Sequence, residues 1–167
     1  MKTIVYTSNT GYTKQYAEML GKSLSLDVLS LDDAKGKLSD GDEIIYFGWL
    51  MAGFVAGYNK AAKKYKIDSV CAVGMGANGS QVSEIRKSNK IGAETPIFVL
   101  QGGLDMPRLN PVFRFMMKIV TKSILKDMES KTDRIPDEDN IIDMIKNGGS
   151  YVSEENLLPV INFYQSK

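Results

Sequence analysis

The chain contains no histidine and a single cysteine, Cys71. Without histidine there is no imidazole to act as a general base near neutral pH, to ligate a metal or to complete a Ser-His-Asp triad. With one thiol there is no internal disulfide and no four-cysteine zinc or iron–sulfur centre. Net charge is nearly absent too: 21 basic against 20 acidic residues leave +1, too little to draw the whole chain to nucleic acid or to an acidic partner. Long apolar runs are also missing. The longest charge-free stretch, Ile44–Asn59, is shorter than a bilayer span and is broken by Gly48, Gly53 and Gly57. At the N-terminus, Lys2 is followed by too few apolar residues to read as a signal peptide. These absences predict a cytoplasmic protein, with contact at the inner face of the cell membrane left open. Any redox chemistry would be carried by a bound organic cofactor.

A length of 167 residues fits one domain, and 43% hydrophobic residues suffice for a core. Apolar runs and periodicities predict strands at Thr3–Tyr6, Leu26–Leu31, Ile44–Trp49, Ser69–Met75 and Pro96–Leu100. Helices are predicted at Tyr12–Leu24, near Tyr58–Lys66, and at Ser80–Asn89. The runs at 44–49 and 69–75 are continuously apolar, as in strands buried on both faces. Strands alternate with helices and no hairpin signal separates them. That pattern predicts a doubly wound α/β fold: a five-stranded parallel sheet of order 2-1-3-4-5 with helices on both faces. Further helices are predicted from Pro111 to about Lys126, over Asp137–Asn147 with Gly148-Gly149 as its stop, and over roughly Leu157–Gln165. In the last of these Pro159 is expected in the first turn.

In such a sheet, ligands bind beyond the carboxyl ends of the strands, where strand order reverses. The first strand ends in Thr7-Ser8-Asn9-Thr10-Gly11-Tyr12-Thr13 and enters a helix directly. Backbone N–H groups at a helix start form an anion site without any cation. The hydroxyls of Ser8, Thr10 and Thr13 add donors, and Gly11 permits close approach of the backbone. There is no Walker lysine and no Gly-x-Gly-x-x-Gly, so nucleoside triphosphates and dinucleotides are poor candidates. A plain N-cap and turn would use the same residue types.

The loop Ser8-Asn9-Thr10-Gly11-Tyr12-Thr13 resembles the FMN-phosphate loop of flavodoxins, which often has asparagine at the place of Tyr12. The resemblance implies FMN as cofactor and points to two further loops that would flank the flavin ring. One is Trp49-Leu50-Met51-Ala52-Gly53, the other Gly74-Met75-Gly76-Ala77-Asn78-Gly79. A flat, largely apolar ring needs apolar walls and backbone N–H groups at its polar edge. Trp49 is a candidate to stack on it, or a core or interface aromatic. The second loop lacks the family's usual stacking aromatic.

One segment departs from the flavodoxin pattern. Between Met106 and Lys126 lie five basic residues and no acid. On a helical projection, Phe113, Met116, Met117, Val120 and Ile124 share a face suited to packing on the sheet. Arg114, Lys118, Lys122 and Lys126 fall opposite, with Phe115, Ile119 and Val112 among or beside them. A basic face carrying apolar residues is the pattern of a membrane-surface helix; a solvated face whose apolar residues pack under the tail helices is the alternative. The segments Gly102-Gly103-Leu104-Asp105-Met106-Pro107-Arg108, Arg114–Val120 and Lys131-Thr132-Asp133-Arg134 are similar to a stretch of bacterial menaquinone-dependent protoporphyrinogen oxidases, FMN enzymes of flavodoxin fold with a basic insert. That resemblance implies an oxidoreductase passing electrons from an organic donor through FMN to a quinone. Arg108, Arg114, Lys118 and Lys122 would then face substrate propionates or anionic lipid. A one-electron carrier, which is usually strongly acidic, and a flavin-free binding domain are the alternatives. No residue stands out as a catalytic acid or base, and no metal site is expected. The expected partners are a redox protein or small-molecule donor, and a second copy of the chain through exposed apolar residues; nucleic acid is not expected.

Overall fold

The computed structural model describes residues 2–167. Strands β1 (Thr3–Thr7), β2 (Val28–Ser30), β3 (Glu43–Met51), β5 (Lys66–Gly74) and β6 (Ile97–Gln101) pair in parallel in the order β2-β1-β3-β5-β6. Counting the parallel strands alone, this is the expected 2-1-3-4-5 order. The alternation of side chains along a strand sorts the core into two layers. Val5, Ile44, Tyr46, Val70 and Ala72 face one side, with Ala34, Ala61 and Ile85. Ile4, Ile45, Phe47, Cys71 and Val73 face the other, with Tyr16, Leu20, Leu157 and Val160. Because β3 and β5 are covered on both faces, their sequences are continuously apolar.

The first layer is covered by α2 (Leu31–Lys37), α3 (Tyr58–Ala62) and α4 (Val82–Asn89), the second by α1 (Tyr12–Leu24) and α7 (Glu154–Gln165). Several boundaries differ from expectation. The second strand is only three residues long, because Ser30 caps α2 by accepting a hydrogen bond from the Asp33 N–H at 3.1 Å. Helix α3 ends at Ala62, and Lys66 already belongs to β5. Strand β3 runs on to Met51 and turns back as β4 (Phe54–Val55), pairing Met51 with Phe54 across Ala52-Gly53. Both turn residues have positive φ, +49° and +80°, as a tight two-residue hairpin requires. Pro159 lies in the second turn of α7, since Ser153 caps the helix by accepting from the Asn156 N–H. Pro159 and Glu155, whose carbonyl it leaves without an intrahelical donor, are both exposed.

After β6 the chain leaves the sheet. Residues Gly103–Leu104 (β7) pair antiparallel with Gly149–Ser150 (β8), closing the base of an excursion. The excursion holds a 3-10 turn (Met106–Arg108), α5 (Pro111–Glu129) and α6 (Pro136–Asn147). Gly148 ends α6, as expected, at φ +69°. Helix α5 packs on α6 and the 3-10 turn, not on a face of the sheet. Met116 and Val120, expected in the sheet interface, are 41% and 46% exposed.

Candidate functional site

The carboxyl ends of β1, β3, β5 and β6 open into a cleft of about 580 Å³, within the range of cofactor sites. It lies at the β1/β3 switch point, where the chain winds outward in both directions. Helix α5 closes it from the side away from the sheet, through Phe113, Met117 and Ile124.

One end is formed by the loop after β1. Asn9, Thr10, Tyr12 and Thr13 line the cleft. Ser8 and Gly11 are not among the lining residues, and the Gly11 N–H donates to Ser8 Oγ at 3.2 Å to close the turn. Gly11 sits at φ +101° and no side chain caps α1. The first bond back to Gly11 is donated by Gln15, so the amides of Tyr12, Thr13 and Lys14 precede the helical ladder. A β-carbon built on Gly11 would meet a single group within 4 Å, the Arg108 guanidinium at 3.9 Å. An anion at this end would thus meet a helix start and a hydroxyl-bearing loop, with the Arg108 guanidinium beside the loop though not among the lining residues, a donor set that fits a phosphate group.

The middle of the cleft is apolar. The hairpin residues Trp49, Leu50, Met51, Ala52 and Gly53 form one wall, and Gly74, Met75 and Gly76 line the end of β5. Trp49 meets Phe113 of α5 edge to face, with centroids 5.5 Å apart. It therefore both lines the cleft and ties α5 to the sheet. These walls fit a flat aromatic ring system such as isoalloxazine. Among the residues lining the cleft, Glu84 of α4 is the one charged side chain.

Other expected residues have different duties. Ala77, Asn78 and Gly79 do not line the cleft. Asn78 Oδ1 accepts from the Gln101 N–H at 2.8 Å, and its Nδ2 donates to Asn156 Oδ1 at 2.9 Å. Gly79 N–H donates to Val99 O, so this half of the loop is fastened to β6 and α7. Arg114 is turned toward the neighbouring 3-10 turn. Its guanidinium donates to the carbonyls of Met106, Pro107 and Leu109 at 2.8–3.1 Å, holding the 3-10 turn. Arg108 lies at the β1 loop and not on the face of α5. Lys118 and Lys122 are exposed on α5, and none of the ion pairs among the described residues involves them.

Sequence reasoning missed Glu84, Ser80, Gln81, Leu104 and Leu109 as cleft-lining residues. No motif marks them, because the excursion and the start of α4 bring them together only in three dimensions. Cys71 is fully buried, and burial pushes its thiol well above the ordinary range, so it is unreactive. Among the described residues no group of His, Cys, Asp and Glu side chains could hold a metal ion. No helix among them is long and apolar enough to cross a membrane.

A family model described as a flavodoxin domain matches residues 3–132. No curated protein matches the chain. Among solved structures, that of the Trp repressor binding protein from Bacillus subtilis is similar at 12% identity, covering 61% of this chain and 85% of its own, with a TM-score of 0.38.

Proposed function

Because the chain belongs to the flavodoxin domain family, we propose that it holds one FMN in the cleft and works as an oxidoreductase. The observation that carries this reading is the cleft itself. A helix start preceded by a left-handed glycine stands at one end, and apolar walls flank the middle. FMN, when bound, supplies a redox group able to exchange electrons singly or in pairs. The chain's own residues do the rest. Thr10, Thr13 and the amides that begin α1 receive the phosphate; the 49–53 hairpin and Gly74–Gly76 flank the ring. Phe113 and Met117 keep water from its outer side.

The finer reading is oxidation of a porphyrinogen with a quinone as acceptor. Each step would remove two electrons and two protons from the porphyrinogen and reduce one quinone to quinol. Glu84, an exposed residue of α4, is the one carboxylate lining the cleft. A membrane-held acceptor suits the outer face of α5. Val112, Phe115 and Ile119 are 68%, 67% and 58% exposed in one stripe, beside the unpaired Lys118 and Lys122. Apolar residues enter the headgroup boundary while lysines meet anionic lipid. The stripe continues through Met116 and Val120 into the cleft wall, giving an apolar substrate a continuous surface to follow.

The test is anaerobic oxidation of protoporphyrinogen by the FMN-loaded protein, with menaquinone liposomes as acceptor and quinone-free liposomes as control. Quinone-dependent turnover is expected. Tight FMN binding without turnover would leave a flavin protein of different donor or acceptor, an electron carrier among them. A colourless protein that takes up no FMN would refute the flavin reading altogether.

A further inference from the structure

Resting on the FMN reading, we propose that Arg108 is a phosphate clamp that adds to this site's preference for phosphorylated flavin over riboflavin. The residue belongs to the excursion, yet its guanidinium reaches back across the fold to the β1 loop. Nη1 donates to Thr10 O at a long 3.3 Å, and it is the one group standing within 4 Å above Gly11. On its other edge Nε pairs with Asp105 Oδ2 at 3.1 Å. Nη2 makes no hydrogen bond among the described residues. A guanidinium carries five donors in a planar fork suited to phosphate oxygens. Here one edge is fixed by Asp105, and the other is turned toward a helix start with only a weak carbonyl partner. The arrangement is therefore aimed but unsaturated.

A neutral phosphate loop already favours an anion through its amides, hydroxyls and helix dipole. A cation adds an interaction that exists for the phosphate dianion and not for the hydroxyl in its place. A charge-assisted bond changes affinity by about tenfold to a hundredfold. With 66% of the Arg108 side chain exposed, the lower end of that range applies.

The experiment titrates FMN and riboflavin separately into the wild type, Arg108→Gln and Arg108→Lys, following flavin fluorescence, with a thermal melt of each variant. The clamp requires Arg108→Gln to weaken FMN about tenfold while riboflavin affinity stays within about twofold. Arg108→Lys should recover part of the loss, and the FMN advantage of the wild type should shrink with rising salt. Equal weakening of both flavins would show that Arg108 only supports the loop and would overturn the proposal. So would unchanged FMN affinity in Arg108→Gln; in both cases the FMN site itself would stand. A wild type that binds neither flavin would overturn the clamp together with the reading beneath it.

Discussion

Replacing Gly11 by valine separates what the β1 loop does for the fold from what it does for a phosphate. Gly11 holds φ +101°, a conformation that costs an L-residue about 1–2 kcal/mol and a β-branched one more. In the protein alone there is room for the side chain, since its first carbon meets only a guanidinium at 3.9 Å. Against a domain stability of about 5–15 kcal/mol, Gly11→Val should therefore fold. The loss falls on the ligand. The branched side chain enters the space between the loop and Arg108, and relief of the strained φ rotates the amides that begin α1. Losing two charge-assisted bonds, each about 1.5–3 kcal/mol, would weaken FMN by more than about a hundredfold. Gly11→Ala, with the strain but without the branches, should fall between. Quenching of FMN fluorescence measures the affinity and a melting curve measures the fold. Unchanged FMN affinity in a Gly11→Val protein with a lowered melting temperature would refute the placement of the phosphate.

Three further outcomes follow from other parts of the molecule. Ile119→Asp puts a charge in the middle of the exposed stripe and should abolish sedimentation with anionic liposomes while sparing FMN affinity; a protein that sediments as before does not dock through α5. If the variant instead changes only oligomer size in solution, the stripe joins two copies of the chain. Asn156→Ala removes donors to Tyr16 Oη at 3.0 Å and Tyr151 O at 2.8 Å and frees Asn78. It should cost about 1–3 kcal/mol, read as a fall in melting temperature of about 2–4 °C per kcal/mol; a melting point equal to the wild type would show that this network adds nothing. At Asp68, burial pushes the carboxyl pKa up, but hydrogen bonds from Tyr164 and Lys2 and the charges of Lys2 and Lys167 outweigh it, so the net shift is downward. A depressed folded pKa contributes stability that is present above the ordinary carboxylate value and is lost as pH falls through the folded value. Asp68→Asn should thus melt lower than wild type near neutrality, with the gap closing below about pH 4; a gap independent of pH would assign the effect to packing.

The parallel sheet was readable because burial on both faces leaves an unbroken apolar signature in β3 and β5, and because α1 repeats its apolar residues at helical spacing. The loop between β1 and α1 was readable as a local motif, contiguous in sequence and followed at once by a helix. Features that depend on partners distant in sequence were not. Helix α2 carries Gly36 and two buried residues, Leu31 and Ala34, too few to show a period. The 52–53 hairpin uses alanine where φ is positive, without the asparagine or aspartate that announces such turns. For α5, periodicity grouped Phe113, Met117 and Ile124 correctly on one face. It could not say that this face would cover a cleft and not the sheet. The duties of Asn78 and Arg114 are set by Asn156 and by three carbonyls of the 3-10 turn, and no pattern in the sequence couples those positions.

Tyr12 shows how the excursion and the phosphate loop depend on each other. Where a flavodoxin loop often has asparagine, this chain places an aromatic ring, and the ring lies against Gly103 at the base of the β7–β8 ribbon. A β-carbon on Gly103 would meet Tyr12 Cζ at 2.7 Å and would also press on Gly149 O. Glycine is thus required where the chain leaves the sheet, because the Gly149 carbonyl across the ribbon and the Tyr12 ring both crowd that position. Tyr12 thus lines the cleft and at the same time supports the excursion. The excursion in turn returns a cation to the same loop through Arg108. Tyr12 against Gly103 and Arg108 against Thr10 are thus two contacts that tie the excursion to one loop. The physical basis is that the chain leaving β6 at Gly102-Gly103 meets Tyr12 at the start of α1, so any insertion there must pack against that loop.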